Sequence, residues 1–172
     1  MDWVCERESQ FEASKTSTGK PQYRVSKVLY EQPELVNELI ERVQHIVIPT
    51  LPILNLPPMQ IGSVERQITA HNDGGYYKVH NDNGSKETGD RIVSYCIYFH
   101  TERFTGGELR IYDLLFNKGY YKQAKSLSTL RPRNNSLVLF PSHFHHEVLP
   151  VVCPSKMFCD SRFTLNGWIR RA

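Results

Sequence analysis

The chain has 172 residues, room for one core but not for a second full-sized domain on a prior of roughly 150 residues per domain. Apolar residues make up 40% and charged residues 23%, a balance that excludes a largely disordered chain and predicts an ordinary globular one. The formal charge of +3 is too small and too scattered to argue for nucleic acid or an anionic membrane as a partner. No run approaches the roughly 18 consecutive apolar residues of a membrane span. The start, Met1 to Arg7, lacks an apolar signal-peptide core, so a cytoplasmic location is expected. Cys5, Cys96, Cys153 and Cys159 form no CxxC pair, so reduced thiols are expected, with a Cys153–Cys159 bridge as the alternative.

A single domain over 1–172 is expected. Residues 1–22 are polar and without period, which predicts a loose lead segment reaching a short strand at Tyr23 to Val25. Leu35, Val36, Leu39, Ile40, Val43 and Val47 then recur at helical steps behind Pro33, with Glu34, Glu38, Glu41 and Arg42 on the other face. That spacing predicts an amphipathic helix over 33–48 that braces a sheet, ended by Pro49, Pro52, Pro57 and Pro58. From 61 to 170 short runs of Val, Ile, Tyr, Phe and Thr alternate with Gly, Asn, Asp and Pro clusters. The strands predicted are 63–71, 76–80, 91–101, 108–113, 128–131, 136–141, 146–152 and 162–169. Strands after one supporting helix, with no helices between them, predict a mainly β fold, a two-sheet jelly roll. Residues 114–125 carry Phe116, Tyr120 and Tyr121 among Lys118, Lys122 and Lys125, and read either as a lid over substrate or as a packed hairpin loop.

Three segments carry candidate chemistry. In His80-Asn81-Asp82, residues two apart in extended chain share a face, so an imidazole and a carboxylate can meet one metal ion; a polar turn after a strand is the plain alternative. Phe144-His145-His146-Glu147-Val148 offers further imidazoles. Two neutral imidazoles plus one carboxylate on one face of an octahedral ion leave three positions open, the set of non-haem ferrous oxygenases. A surface cluster of His143, His145 and His146 is the competing account. In Arg162 to Trp168, alternation puts Arg162, Thr164, Asn166 and Trp168 on one face, and an Arg aimed into a barrel needs an anion, unless it sits at a strand end and reaches solvent. Gly74-Gly75 and Gly106-Gly107 read as tight turns or bulges rather than phosphate loops, since neither opens a helix.

Taken together, Tyr77 to Asn83, Arg91 to Phe99, Gly106-Gly107-Glu108-Leu109, Leu137 to Ser142, His146 to Val151 and Arg162 to Trp168 resemble, in order and spacing, the Fe(II)- and 2-oxoglutarate-dependent dioxygenases of the prolyl 4-hydroxylase-like branch. The resemblance covers roughly residues 60 to 170. It implies a double-stranded β-helix and the iron ligands His80, Asp82 and His146, with His146 preferred to His145 by the His, small apolar, Pro-Val pattern. It further implies Arg162 and Tyr98 as partners of the distal carboxylate of 2-oxoglutarate, and Thr164, on the same face, as a further hydroxyl contact. Fe(II), 2-oxoglutarate and O2 would be used to hydroxylate an unactivated C–H bond, releasing succinate and CO2, and a contribution from ascorbate is compatible with this. The retained Asp82 argues against halogenating relatives. The substrate expected is a peptidyl residue, prolyl-type, or a free amino acid or natural product. Two departures stand out: His71 where many relatives have Tyr, and His100 where many have Asn. The rival is a metal-binding cupin-like module without catalysis, which has no need of inward-facing Arg162 and Tyr98.

Overall fold

The computed structural model describes residues 1–15, 22–30, 35–117 and 120–172. In chain order the elements are α1 (Asp2–Cys5), β1 (Glu12–Ala13), β2 (Arg24–Val25), β3 (Lys27–Leu29), α2 (Leu35–Thr50), β4 (Ile61–His71), β5 (Tyr76–His80) and β6 (Arg91–Tyr98). They continue as β7 (Thr105–Gly106), β8 (Leu109–Asn117), β9 (Tyr120–Leu130), β10 (Ser136–Pro141), β11 (His146–Val148), β12 (Val151–Val152) and β13 (Arg162–Arg171). A six-stranded sheet runs β1-β3-β4-β13-β6-β10 and a five-stranded one β2-β5-β11-β8-β9, with β12-β7 as a small third pair. Every one of these pairings is antiparallel. The fold is the expected mainly β one, built on two antiparallel sheets.

Alternation in β13 separates two environments. Phe163, Leu165 and Ile169 join the apolar core with Ile68 and Ala70 of β4, Val93 and Tyr95 of β6, and the α2 face made by Val36, Ile40, Val43 and Val47. Arg162, Thr164, Asn166 and Trp168 line a cavity instead. One strand with period-two patterning thus seals a greasy layer under a helix on one side and presents polar chemistry on the other. The paired rows of β4 and β13, Arg162 opposite His71 through Trp168 opposite Glu65, fix which side chains share that polar face.

Four local expectations are corrected. Residues 1–15 do not form a loose lead: α1, a 3-10 turn at Glu8–Gln10 and β1 dock on the core, because Val4 and Phe11 are buried and Phe11 meets Phe158 edge-on at 5.0 Å, while residues 16–21 of the expected lead lie outside the described residues. The cysteines are not all reduced, nor is the bridge Cys153–Cys159; Cys159 is joined to Cys5, leaving Cys96 and Cys153 as buried thiols. The helix runs to Thr50, carrying Pro49 in its last turn. The 128–131 strand is the end of the longer β9, whose register with β8 makes 114–117 and 120–125 the two arms of a strand pair, as the hairpin reading expects. The segment's residues 118–119 and the side chains of Phe116, Tyr120 and Tyr121 lie outside the described residues. Among the described residues no helix is long and apolar enough to cross a membrane.

Candidate active site

Two distant segments meet because β5 and β11 are neighbours. His80 ends β5 and His146 opens β11, and the register places them directly opposite. Asp82 follows two residues after His80, and its own backbone N–H donates to Ser142 O at 2.9 Å, which folds the chain back toward β11. The nearest ring nitrogen to carboxylate distances are 3.6 Å for His80 Nε2 to Asp82 Oδ1 and 3.5 Å for His146 Nε2 to Asp82 Oδ2. One donor atom from each of the three side chains lies within 4.8 Å of the others.

The rings are pre-oriented for a metal. His80 Nδ1 is 2.8 Å from Lys78 O and His146 Nδ1 is 3.0 Å from Phe144 O, so each Nδ1 carries the proton and donates, leaving each Nε2 lone pair toward the gap. Tyr77 stacks on His80 with centroids 3.5 Å apart, and Phe140 lies edge-on to His146 at 4.7 Å. This apolar lining pushes the His80 imidazole down to about 3, by burial first and then by the neighbouring His146, so the ring is neutral at physiological pH. Burial alone would raise the Asp82 carboxyl, yet His146, His80 and hydrogen bonds from Ser94 and Trp168 outweigh it and hold Asp82 below its ordinary value. Ser94 Oγ donates to Asp82 Oδ2 at 2.6 Å and itself sits 3.0 Å from Ser142 Oγ.

The triad opens into a cavity of about 910 Å³ between the two sheets. At another part of its wall lies Arg162, 1% exposed. Its Nε donates to Gly107 O at 2.8 Å, a terminal nitrogen donates to Tyr98 Oη at 3.2 Å, and its guanidinium carbon stands 4.9 Å from the Tyr98 ring centroid. Among the described residues no carboxylate pairs with it. A buried, permanently charged group with only neutral partners is costly unless an anion joins it, so the observation fits a dianionic cosubstrate whose distal carboxylate meets Arg162. Gly107 makes room for that fork: it adopts φ +67, and a Cβ there would fall 2.6 Å from Arg162 Cδ and 2.9 Å from Val151 Cγ2. Burial raises the Tyr98 hydroxyl well above its usual value, so it stays a neutral donor. Thr164 faces the cavity opposite Tyr98 in register, with its Oγ1 3.4 Å from Asn166 Oδ1.

All six residues singled out in the sequence therefore line this one region or back it. Sequence reasoning missed Ser94, Ser142 and Arg24, none of which carries a motif of its own. It read Gly106-Gly107 as a tight turn or bulge and missed the close approach of Gly107 to Arg162. His71 is 3% exposed and neither ring nitrogen has a hydrogen-bond partner; burial first, then the Arg162 and Arg24 charges, hold it neutral. His100 is buried, with Nδ1 3.1 Å from Thr101 O and its ring edge-on to Phe104 at 4.8 Å.

Comparison with known proteins agrees with this geometry. A model of the 2OG-Fe(II) oxygenase superfamily matches residues 66–170, which contain every one of the six. An uncharacterized PKHD-type hydroxylase of Synechocystis sp. is 42% identical over 172 residues, 98% of this chain; the chain spans 57% of that relative's length. Among solved structures, a Pseudomonas putida prolyl-4-hydroxylase superposes with a TM-score of 0.65 at 20% identity, covering 99% of this chain and 84% of that one. The viral collagen prolyl hydroxylase of Paramecium Bursaria Chlorella virus-1, in its 2OG complex, gives 0.56 at 17% identity, covering 87% and 81%. At these identities the two structures speak to the fold.

Proposed function

The chain belongs to the 2OG-Fe(II) oxygenase superfamily, and from that premise we propose that it is a hydroxylase that binds Fe(II) through His80, Asp82 and His146 and 2-oxoglutarate through Arg162, Tyr98 and Thr164. The carrying observation is one cavity holding both a convergent His-Asp-His set and a buried guanidinium without an acidic partner. When bound, Fe(II) with 2-oxoglutarate and O2 supplies the oxidising power that removes hydrogen from a C–H bond, with succinate and CO2 as coproducts. The protein's residues do the rest. His80 presents a neutral Nε2, His146 Nε2 faces the same carboxylate, and Asp82 arrives already ionised, so His80 and Asp82 need lose no proton on metal binding. Ser94 and Trp168 fix the carboxylate's orientation, the role outer partners play in metal sites generally. Tyr77 and Phe140 exclude water from the ring faces.

Arg162 orients the cosubstrate by a forked, charge-assisted contact, with the neutral Tyr98 hydroxyl as a weaker second donor. The hydroxylase name of the cyanobacterial relative and the prolyl hydroxylase names of the structural neighbours support hydroxylation of an amino-acid unit, free or in a peptide. The test is turnover of 2-oxoglutarate to succinate by the Fe(II)-loaded protein across a panel of amino acids and peptides, with mass spectrometry for gain of one oxygen. Substrate-stimulated succinate with a one-oxygen product is expected. Succinate formation unchanged in Asp82→Ala would overturn the ligand set, whereas its absence from the native protein under all conditions would favour the non-catalytic metal module.

A further inference from the structure

Beyond the metal triad and the Arg162 fork, Lys15, Arg24 and Arg66 also line the cavity, and of these three cations Arg24 alone is not exposed. Arg24 of β2 lines the cavity from the edge of the five-stranded sheet, whereas Arg162 belongs to the six-stranded one. Arg24 Nε donates to Ser26 Oγ at 2.8 Å and a terminal nitrogen donates to Thr69 Oγ1 at 3.2 Å. Its guanidinium carbon stands 4.9 Å from the centroid of Tyr77, the ring that stacks on His80. Arg24 is therefore one aromatic ring removed from a metal ligand. Both hydrogen-bond partners are neutral hydroxyls, and among the described residues no carboxylate pairs with it. Glu65, the other acidic side chain on the cavity wall besides Asp82, is already held by Arg91 and Arg170.

The balance of charge singles Arg24 out. With Fe(II), ionised Asp82, doubly charged 2-oxoglutarate and Arg162 all present, the formal charges sum to zero and the Arg24 cation is left over. On the same cavity wall is His71, which feels the Arg24 charge and whose buried ring nitrogens find no partner among the described residues, a further unused hydrogen-bonding group. A half-buried guanidinium with free N–H donors, on the same cavity wall as an unsatisfied neutral imidazole, is a receptor for a planar anion, above all a carboxylate.

We propose that Arg24 is the substrate-recognition residue and that it binds a carboxylate of the substrate. The molecule hydroxylated then carries its carboxylate close to the oxidised carbon, as a free amino acid or the C-terminal residue of a peptide does and an internal peptidyl residue does not. The inference rests on the hydroxylase reading above, since it assumes the metal and cosubstrate positions given there.

The test uses the full chain loaded with Zn(II) and 2-oxoglutarate, probed by saturation-transfer NMR and calorimetry. The probes are free amino acids, their amides, short peptides with free C-termini and the same peptides amidated. Native protein is expected to bind at least one free carboxylate form at least about tenfold more tightly than its amide, and Arg24→Gln to lose that preference, with Arg24→Lys intermediate. The 2-oxoglutarate affinity of Arg24→Gln stays within about twofold of native. Binding by amino acids but not by peptides assigns the carboxylate to a free amino acid; binding by both assigns it to a C-terminus. Equal binding of acid and amide forms, or no carboxylate probe binding below about 10 mM, overturns the proposal. A roughly tenfold loss of 2-oxoglutarate affinity in Arg24→Gln also overturns it, by making Arg24 a cosubstrate residue. Failure of the native protein to bind 2-oxoglutarate is a separate result that removes the hydroxylase reading, whatever the acid and amide probes do.

Discussion

Replacing Arg162 by Met tests the cosubstrate end of the cavity with an effect that is large and has a definite sign. Methionine keeps much of the buried volume but removes the charge and the two hydrogen bonds to Gly107 O and Tyr98 Oη. The 2-oxoglutarate carboxylate would then be buried beside neutral groups, a loss of about 2 to 5 kcal/mol of binding. That corresponds to roughly 30-fold to several thousand-fold weaker affinity at about 1.4 kcal/mol per decade. Stability of the ligand-free protein moves differently. Loss of two hydrogen bonds costs about 1 kcal/mol each, while relief of an unpaired buried charge returns a similar or larger amount, so the ligand-free melting temperature should change little. The assay is thermal unfolding with Mn(II) alone and with added 2-oxoglutarate. Ligand at about 100 times its dissociation constant stabilises the native protein by about 2.7 kcal/mol, and the same concentration should stabilise the Arg162→Met variant by less than about 1 kcal/mol. A variant that keeps the native 2-oxoglutarate shift would refute the assignment of Arg162.

Other perturbations give graded outcomes. Tyr98→Phe removes a neutral donor only, so 2-oxoglutarate affinity should fall by about 1 to 2 kcal/mol, measurable by the same titration and less than for Arg162. Gly107→Ala sets a Cβ 2.6 Å from Arg162 Cδ at φ +67, and should weaken 2-oxoglutarate binding while lowering stability by about 1 to 3 kcal/mol; unchanged binding with lowered stability would separate the glycine from the fork. His146→Ala should abolish metal binding by calorimetry and His145→Ala should spare it, because His146 and not His145 converges with His80 and Asp82; equal losses would contradict the choice of ligand. Ser94→Ala removes the 2.6 Å bond to Asp82 Oδ2 and should weaken metal binding by about tenfold. For pH, His80 and His71 both have folded values below their ordinary one, so the unfolded chain takes up protons first. Stability of the metal-free protein should therefore be full above about pH 6.5 and fall toward about pH 3, by at most about 1.4 kcal/mol per pH unit for each ring; a flat profile in denaturant melts over that window would contradict their burial as neutral groups.

Chemistry with short-range sequence logic was legible, and chemistry assembled by packing was not. His80 and Asp82 sit two apart, and β13 alternates cleanly, so the polar face of Arg162, Thr164, Asn166 and Trp168 follows from period two alone. The α2 stripe was readable for the same reason, its apolar steps matching the buried Val36, Ile40, Val43 and Val47. By contrast β9 is rich in Lys, Gln and Ser, and its strand state comes from pairing with β8 rather than from any apolar alternation. The N-terminal residues read as loose because only Val4 and Phe11 are buried there, and two contacts leave no period to detect. Cys5 and Cys159 are 154 residues apart, a separation that carries no spacing signal. Arg24 sits in a two-residue strand, and its place on the cavity wall depends on β2 pairing with β5, a contact that nothing in its neighbours announces.

The central claim, that His80, Asp82 and His146 hold a metal to which 2-oxoglutarate binds in the same cavity, is tested most directly by anaerobic titration of the Fe(II)-loaded protein with 2-oxoglutarate while the visible spectrum is recorded. A metal-to-ligand charge-transfer band that grows to saturation at one equivalent, absent in Asp82→Ala and shifted to far higher cosubstrate concentration in Arg162→Met, is the predicted result. No band at any concentration from protein that retains one Fe(II), or an identical band in Asp82→Ala, would contradict it.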